Sequence, residues 1–240
     1  MAVEEPLEIR AGGKRICVVM RTPGHDQELA AGFLFTEGII RSSSDVAGVR
    51  PLMRKEGCNS INVSLSRKTA RVPPRGIVVS SSCGICGKTS IESVHLHFPP
   101  VQSDLSVNVD ALLSLPEKLR SQQSGFDRSG GLHAAALFTA GGDLLIVRED
   151  AGRHNAVDKV VGHALLAKQL PLDRHILMVS GRASFEILQK ALAARIAVVA
   201  AVSAPSSLAA EFAEESGQTL IGFLREGRLN LYSHPERLLA

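Results

Sequence analysis

The C-terminal part of the chain alternates between strand and helix segments in an order that few folds accommodate. Residues 133–139 and 144–148 are apolar segments on either side of Ala140-Gly-Gly-Asp143, a pattern typical of a β-hairpin. The elements predicted after it are, in order, a helix at residues 154–168, a strand at 175–180, a helix at 184–194, a strand at 196–202, a helix from about residue 205 and a hairpin of residues 219–224 and 229–232. This order predicts a mixed sheet flanked by helices, an α/β (α+β) fold.

The N-terminal part of the chain predicts a different, mostly β structure. Its predicted elements are a strand at residues 16–20, a helix at 26–38, and strands at 60–66 and 76–80. Pro99 and Pro100 begin a polar stretch that is typical of a linker. We therefore expect two units: residues 1–100 form a β-rich subdomain that includes a C-x-x-C loop, and residues 101–240 form the α/β domain.

The composition argues against two classes of partner. The 240 residues carry 27 basic and 24 acidic side chains, a formal net charge of +3, and they include no Trp and one Tyr. A general nucleic-acid binder needs a concentrated basic surface, and a single-strand binder needs aromatic stacking platforms. No apolar run reaches the roughly 18–20 residues of a membrane span. We expect neither a nucleic-acid nor a membrane partner.

The N-terminus and the cysteines indicate the compartment. The chain begins with an acidic stretch that lacks the basic and apolar segments of a signal peptide, which favours a cytoplasmic, reducing location. In that setting the four cysteines are not expected to form a disulfide framework, and a close pair is more often catalytic or metal-binding.

Cys83-Gly-Ile-Cys86 is that pair, and three roles fit it: a redox dithiol, half of a zinc site, or a sulfur carrier. His95 and His97 could complete a Cys2His2 zinc set. A redox dithiol is expected at the start of a helix, whereas this pair follows a predicted strand. A Ser- and Gly-rich loop with an accessible thiolate suits a carrier that moves between a donor and an acceptor.

Residues 148–159 form a second candidate site. His154 and Asp158 are four residues apart, so on a helix they share one face. A carboxylate beside the imidazole would raise its pKa for general acid/base work; alternatively the two side chains form a purely structural pair. Gly152, just before the helix, leaves backbone N–H groups free for an anion.

Two further segments contain arginines at turns. Residues 179–186 read as a strand, a small-residue turn with Arg182 and a helix start, which together could bind a phosphate. Residues 222–232 read as a hairpin in which Arg225 and Arg228 straddle the turn. These arginines could bind a phosphate or a purine edge, or the segment could be an ordinary hairpin.

Taken together and in this order, the motifs resemble the FdhD family of accessory sulfurtransferases for formate dehydrogenases. The resemblance covers nearly the whole chain, although single residues depart from it, such as Ser129 where Thr is usual. The matching segments are Thr22-Pro-Gly, Ala31-Gly-Phe-Leu-Phe-Thr-Glu-Gly-Ile39, Ser82-Cys-Gly-Ile-Cys-Gly-Lys88, Ser129-Gly-Gly-Leu-His133, Glu149-Asp-Ala-Gly-Arg-His-Asn-Ala-Val-Asp-Lys159, Ser180-Gly-Arg-Ala-Ser-Phe-Glu186, Ser203-Ala-Pro-Ser206 and Thr219-Leu-Ile-Gly-Phe-Leu-Arg225.

The resemblance implies a function. Family members take sulfur as a persulfide from a cysteine desulfurase and pass it to the bis-molybdopterin guanine dinucleotide cofactor of formate dehydrogenase. It implies that Cys83 carries the persulfide and that Cys86 is the second cysteine of the motif. It also implies a cytidine-deaminase-like sheet with an added β-rich part, usually in a homodimer. The molybdenum cofactor would be a bound acceptor, and we expect no permanent cofactor and no metal.

The resemblance also implies which residues contact the guanine nucleotide of the cofactor, and we add two basic side chains to them. The residues expected to bind the cofactor are Phe223, Leu224, Arg225, Glu226, Gly227, Arg228, Arg182 and His154.

Two rival functions stay open at this stage. One is a chaperone that binds the molybdopterin cofactor without sulfur transfer. The other is a zinc hydrolase on a deaminase-like fold, although the H-x-E…P-C-x-x-C signature of deaminases is absent because Ser82 precedes Cys83.

Overall fold

The computed structural model describes residues 1–52, 59–66, 77–79 and 98–239. The N-terminal segments form a five-stranded sheet with the strand order β3-β4-β1-β2-β5. Its strands are β1 Glu5–Ala11, β2 Lys14–Arg21, β3 Val46–Leu52, β4 Ser60–Leu65 and β5 Ile77–Val79. The β1–β2 and β3–β4 pairs are antiparallel, whereas β1 pairs with β4 and β2 pairs with β5 in parallel.

The C-terminal segments form a six-stranded mixed sheet with the order β12-β11-β10-β9-β7-β8, and β6 and β13 form a separate two-stranded pair. The strands are β6 Val107–Asn108, β7 His133–Thr139, β8 Leu144–Asp150, β9 His175–Val179, β10 Val198–Ala201, β11 Thr219–Arg225, β12 Arg228–Ser233 and β13 Leu238–Leu239. The helices are α1 Asp26–Thr36, α2 Val109–Arg120, α3 Ser124–Ser129, α4 Arg153–Leu166, α5 Phe185–Ala193 and α6 Ser207–Ser216.

Two apolar clusters lie on opposite faces of the six-stranded sheet. Along β7, Ala135 and Leu137 belong to one cluster while Ala134 and Ala136 belong to the other, as the alternation of side chains along a strand requires. The first cluster also contains apolar side chains of α1, α4 and the five-stranded sheet, and the second contains those of α2. The two sheets therefore share one buried core, with α1 and α4 between them.

The crossing of α1 and α4 depends on two glycines. A Cβ atom on Gly32 would lie 1.9 Å from the carbonyl oxygen of Asp158, and a Cβ atom on Gly162 would lie 1.8 Å from that of Glu28. Both distances are far below van der Waals contact, so no other residue fits at either position without moving a helix backbone. These glycines bring the two helix backbones into direct contact.

The fold prediction is confirmed: a mixed sheet flanked by helices follows a β-rich N-terminal part. The β1–β2 hairpin, β3 and α3 were not predicted. The stretch predicted as a linker contributes three buried side chains, Val101, Leu105 and Val107, to the second core cluster. The division at residue 100 stays a prediction. Within the ranges that the structure describes, no helix is long and apolar enough to cross a membrane.

Candidate functional site

The topology brings the sequence motifs of the C-terminal part to one edge of the six-stranded sheet. β8, β9, β10 and β11 end at this edge, while β7 and β12 begin there, because β7 is antiparallel to β8 and β9, and β12 is antiparallel to β11. Ligands of open α/β sheets commonly bind at such an edge. We call it the site edge; its segments are residues 129–133, 149–154, 180–184, 202–206 and 223–228.

Hydrogen bonds fix neighbouring segments of the site edge to each other. The Ala134 N–H donates to Ser180 Oγ at 2.8 Å, and the Ser206 N–H donates to the Ala183 carbonyl at 3.0 Å. The Phe223 N–H donates to the Ser203 carbonyl at 3.1 Å. The loops after β9, β10 and β11 are thus held in register with one another.

Asp150 joins the site edge to the N-terminal part. It is fully buried, and its Oδ1 accepts hydrogen bonds from the Gly152 N–H and from Asn155 Nδ2, both at 2.9 Å. Its Oδ2 accepts from the Thr22 N–H at 3.1 Å and pairs with Lys159 Nζ at 2.7 Å. One carboxylate therefore holds the Thr22-Pro-Gly turn, the start of α4 and the end of β8 together, which explains why these motifs occur in the same chain.

His154, in the first turn of α4, is a neutral imidazole between two helix starts. It is 5% exposed; its Nε2 lies 3.3 Å from Ser184 Oγ and 3.9 Å from Glu186 Oε2, and its Nδ1 has no hydrogen-bond partner among the residues whose positions are described. Burial, followed by the positive charges of Arg153 and other basic neighbours, lowers the pKa of His154 to about 3. A buried nitrogen without a partner is uncommon in native structures and is often found at a functional site.

The predicted pairing of His154 with Asp158 is wrong. Both side chains are buried on α4, but Asp158 Oδ1 accepts from Thr36 Oγ1 at 2.7 Å and from Lys190 Nζ at 2.9 Å. The pKa of His154 is lowered rather than raised, because the imidazole is buried and the charged groups near it are positive. Because α4 is buried among other helices, its side chains contact different elements along its length. His154 contacts the start of α5, whereas Asp158 contacts α1 and the C-terminal half of α5.

The Asp158–Lys190 contact is a structural ion pair in the core. The Lys190 side chain is 6% exposed and that of Asp158 is 2% exposed. Burial acts to lower the pKa of Lys190, but the carboxylates of Asp158 and Glu37 raise it above its ordinary value. This pair connects α1, α4 and α5 and does not line the site edge.

The site edge favours an anion. The residue that precedes α4, Gly152, has no side chain to cap the helix, and Ser184 before α5 makes no capping hydrogen bond. Within the part of the chain that the structure describes, the first N–H groups of α4 therefore have no side-chain cap, and the helix dipoles add positive potential. Arg182 is exposed and has no hydrogen bond or ion pair with any residue that the structure describes. The phosphate-binding role of Arg182 and of the start of α4 stays a prediction.

The hairpin of β11 and β12 has the turn predicted from the sequence. Glu226 and Gly227 have φ angles of 53° and 72°, which is the geometry of a tight two-residue hairpin turn. Arg225 lies over the ring of Phe223, with 6.0 Å between its guanidinium carbon and the ring centroid. Arg228 pairs with Glu226 at 3.3 Å and is exposed like Arg225, while Leu224 is fully buried in the core.

A cleft beside the site edge was not predicted. It has a volume of about 570 Å³ and lies between α2, α3 and the starts and ends of strands at the site edge. Its lining includes Gln123, Phe126 and His133. α3 has six residues, too few for a periodic apolar pattern, and the only sequence signal near it was the Ser129-Gly-Gly-Leu-His133 motif.

The predicted catalytic residues Cys83 and Cys86 lie outside the described residues, as do His95 and His97 of the zinc hypothesis. Cys17, on β2, is a buried thiol: it is 1% exposed, and burial raises its pKa. Among the residues with a described position, no cluster of three or more His, Cys, Asp or Glu side chains could hold a metal ion.

The fold defines a class: an α/β protein with a mixed sheet flanked by helices, in which the sequence motifs of the C-terminal part meet at one edge of the sheet. The family comparison narrows this class. The FdhD/NarQ family model matches residues 2–239, and the chain belongs to this family.

Named relatives agree with this assignment. The chain is 52% identical to the sulfur carrier protein FdhD of Mycolicibacterium paratuberculosis, over 99% of this chain and 91% of that protein. It is 47% identical to the sulfur carrier protein FdhD of Saccharolobus solfataricus, over 99% of this chain and 90% of that protein. A crystal structure described as a formate dehydrogenase accessory protein from Desulfotalea psychrophila superimposes with a TM-score of 0.79 at 25% identity, over 99% of this chain and 90% of that one.

Proposed function

We propose that this chain is a sulfurtransferase that carries sulfur as a persulfide on Cys83, from a cysteine desulfurase to the bis-molybdopterin guanine dinucleotide cofactor of formate dehydrogenase. The relatives named as sulfur carriers support sulfur transfer in general. The observation that carries the proposal furthest is the site edge, where Arg182 makes no ion pair with any described residue and neither Gly152 nor Ser184 caps the helix that follows it. An acceptor with several phosphates needs such a surface.

The position of the N-terminal sheet supports an encounter between Cys83 and the site edge. Val79, at the end of β5, pairs with Val19 of β2, and β2 leads directly to Thr22, which is held by Asp150. Cys83 follows Val79 by four residues in the sequence. Four residues of chain span at most about 14 Å, and the proposed encounter requires Cys83 to reach the site edge within this length.

The proposed chemistry balances in two steps. The Cys83 thiolate attacks the terminal sulfur of the donor persulfide; a new S–S bond forms on Cys83 and the donor cysteine leaves as a thiolate. The Cys86 thiolate then attacks Cys83 Sγ, forming a Cys83–Cys86 disulfide and releasing the outer sulfur as sulfide to the acceptor. The two thiolates supply the two electrons that reduce the sulfur, and a cellular dithiol restores the pair.

The roles of the binding residues follow from their charges. Arg225, Arg228 and Arg182 are exposed cations that would bind the phosphates of the acceptor, together with the uncapped helix starts. His154, Phe223, Glu226 and Gly227 would shape the surface around them, whereas Leu224, which was also expected to bind the cofactor, is buried in the core beneath the hairpin. We place the reaction in the cytoplasm, where cysteine thiolates are kept reduced. We also propose that the protein acts as a homodimer, and light scattering would test this.

Intact-mass spectrometry after incubation with a cysteine desulfurase and cysteine tests the carrier. We expect a gain of one sulfur, about 32 Da, that a reductant removes. Cys83→Ala should lose the gain, while Cys58→Ala, a cysteine outside the motif, should keep it. The proposal fails if the wild-type protein gains no sulfur from a competent donor, or if Cys83→Ala gains it normally.

The alternative is a chaperone that delivers the cofactor without sulfur chemistry. The anion-favouring surface supports this alternative as well, because it is built from residues other than the cysteines. Complementation separates the two functions: a strain that produces only Cys83→Ala should have inactive formate dehydrogenase if sulfur transfer is required. Full formate dehydrogenase activity in that strain would favour the chaperone.

A further inference from the structure

A second pocket lies at the ends of α4 and α5, away from the site edge. Both helices begin at the site edge, and the pocket is lined by the residues that follow their last turns, by the end of α1 and by the segment before β3. Because a helix rises about 1.5 Å per residue, the 14 residues of α4 place this pocket roughly 20 Å from the site edge. We call it the helix-end pocket; its lining residues fall within 35–43, 168–171 and 193–195.

Among the described residues that line the helix-end pocket, three are basic and none is acidic: the basic ones are Arg41, Lys168 and Arg195. The pocket has a volume of about 330 Å³, equal to a sphere about 9 Å across. Charges around a space of this size lie roughly within one Debye length at physiological salt, so they repel one another. Asp45 accepts from the backbone N–H groups of Arg41 and Ser42 at 2.8 and 3.1 Å and does not line the pocket.

The charge in the pocket is not neutralised by the residues around it. Arg41 and Lys168 are exposed, and neither side chain forms a hydrogen bond or an ion pair with any residue of described position. Arg195 Nη1 and Nη2 donate to the carbonyls of Pro99 and Pro100 at 2.5 and 2.9 Å. These neutral carbonyls fix the guanidinium in place and leave its charge available to a partner.

Two of the three basic residues occupy a backbone position that favours glycine. Lys168 and Arg195 directly follow the C-caps of α4 and α5, with φ angles of 58° and 66°. Both helices end in a Schellman motif; in α4 the Lys168 N–H donates to the Leu165 carbonyl at 3.1 Å and the Gln169 N–H to the Ala164 carbonyl at 2.8 Å.

Glycine is usual at this position because other residues are strained at positive φ. A cation near the end of a helix interacts favourably with the helix dipole, but a residue of the last turn supplies the same charge without positive φ. Two strained positions that both hold a long cation, and that both line one pocket, indicate that Lys168 and Arg195 do more than end their helices.

The rest of the lining includes apolar surface. Phe35 and Ala193 line the pocket and are themselves 8% and 7% exposed, and Leu170 lies beside them in the lining. A space of about 330 Å³ holds one aromatic or aliphatic side chain. The helix-end pocket therefore combines room for a single apolar group with unneutralised positive charge around it.

We propose that the helix-end pocket is a docking site for an acidic segment of a partner polypeptide. One apolar side chain of the segment enters the pocket, and carboxylates on either side of it pair with Arg41, Lys168 and Arg195. A lipid surface or a nucleic-acid backbone would meet the same cations but would not fill a concave apolar space. Docking here leaves the site edge open, because the two lie at opposite ends of α4, and it depends neither on Cys83 nor on the proposed acceptor.

Fluorescence anisotropy of the full chain with labelled peptides tests the proposal. The probe is Gly-Asp-Glu-Phe-Asp-Glu; Gly-Asn-Gln-Phe-Asn-Gln removes its charge, and Gly-Asp-Glu-Ala-Asp-Glu removes its large apolar side chain. We expect the probe to bind at least about fivefold more tightly than either matched peptide. Its binding should weaken as sodium chloride is raised from about 50 to about 300 mM, since exposed charge pairs are screened.

Lys168→Gly separates binding from stability. Glycine suits the positive φ at this position, so the variant should not lose stability in urea unfolding, yet it should bind the probe about fivefold more weakly. Arg41→Gln should show a similar loss of binding. Lys14→Gln is the matched control, because it removes the same charge from an exposed residue at the start of β2, outside the pocket, and it should bind like the wild type.

Two results contradict a docking site of this kind. Equal binding of the three peptides, or unchanged binding by both Lys168→Gly and Arg41→Gln, overturns the proposal. Displacement of the probe by an equal concentration of inorganic phosphate also overturns it, because the pocket would then be a site for small anions rather than for a polypeptide.

Discussion

Among single residues, Asp150 shows how one buried side chain can organise a site without lining it. Four donors meet its carboxylate. The Thr22 N–H comes from a distant part of the sequence, the Gly152 N–H comes from the residue before α4, and the Asn155 and Lys159 side chains come from α4 itself. Lys159 is 1% exposed and also donates to the Thr22 and Glu149 carbonyls at 3.0 and 3.1 Å. The ion pair and its hydrogen bonds therefore depend on one another.

Replacing Asp150 by Asn should destabilise the protein strongly. The amide keeps the shape but leaves the Lys159 cation buried without its counter-charge, which costs about 3–5 kcal/mol. Urea unfolding measures this loss. The double variant Asp150→Asn/Lys159→Met should recover part of it, because the buried charge is removed as well. A loss below about 1 kcal/mol would mean that the two carbonyl contacts alone satisfy Lys159.

His154→Gln should make the protein less sensitive to acid. The pKa of His154 in the folded protein is about 3, below its ordinary value of 6.5, so the unfolded chain binds the proton first as the pH falls. In the wild type, His154 should therefore lower the free energy of unfolding by about 1.4 kcal/mol for each pH unit below 6.5. Gln does not titrate, so the variant lacks this decrease. Urea unfolding at pH 7, 6, 5 and 4 compares the two slopes.

The other histidines with a lowered pKa, His25, His133 and His175, are present in both proteins and cancel in this comparison. Parallel pH profiles for the wild type and His154→Gln would contradict the buried, neutral imidazole.

At this scale the sequence indicated which residues matter but not what they contact. His154 and Asp158 were singled out correctly as buried on one helix, and their spacing suggested a mutual pair. Helical spacing specifies neighbours only within the helix, whereas both side chains bond to other elements, Ser184 for one and Lys190 for the other.

Among the elements, the α1–α4 contact is the closest approach in the fold. Both helices use a glycine at the crossing, so backbone atoms replace side chains at the interface. Helices are usually separated by about 8–10 Å because side chains lie between them, and glycine permits a shorter separation. The two sheets are joined at this crossing.

Gly32→Ala and Gly162→Ala should each destabilise the protein by about 3 kcal/mol or more, beyond the small gain in helix propensity, because each added methyl group meets a carbonyl oxygen of the other helix. Thermal and urea unfolding measure the effect. Gly48→Ala is the control, since no atom lies within 4 Å of the added Cβ. If Gly32→Ala and Gly162→Ala were as stable as Gly48→Ala, the prediction would be wrong, because α1 and α4 could then move apart with little loss of free energy.

Most regular elements were predicted, and the failures have physical causes. The helix predicted at residues 26–38 is α1 Asp26–Thr36, and the hairpin of β7 and β8 was predicted almost to the residue. β3 was missed because its side chains are mostly exposed and include Pro51, so no apolar alternation marks it. The parallel pairing of β1 with β4 and of β2 with β5 has no local signal, because register between distant strands depends on the whole fold.

In the whole molecule, the two sheets behave as parts of one core. The first apolar cluster contains Ile9 of the N-terminal sheet, Leu29 of α1 and Val160 of α4. Polar contacts cross the same boundary, as between Lys190 and Thr36 at 2.9 Å. The predicted division at residue 100 therefore lies between the strands of the two sheets along the chain. We propose that it does not separate independent folding units.

Residues 101–240 expressed alone should fail to fold cooperatively. Removing residues 1–100 exposes the apolar side chains of α4 and leaves Lys159 and Lys190 without partners from the N-terminal part. Circular dichroism and thermal unfolding of the fragment test this. A sharp transition at the temperature of the full chain would show that the α/β part is an independent domain.

The crossing of α1 and α4 also determines when α1 can reach its final packing during synthesis of the chain. Gly162 is 130 residues further along the chain than Gly32, so a ribosome that adds about 5–20 residues per second completes α4 roughly 7–26 s after it completes α1. Throughout that interval the apolar face of α1, with Leu29 and Leu34, has no partner helix. The N-terminal segment is made first, yet it can reach its final packing only after α4, which ends almost halfway through residues 101–240, has been synthesised. During that interval the apolar face of α1 is available to chaperones and proteases.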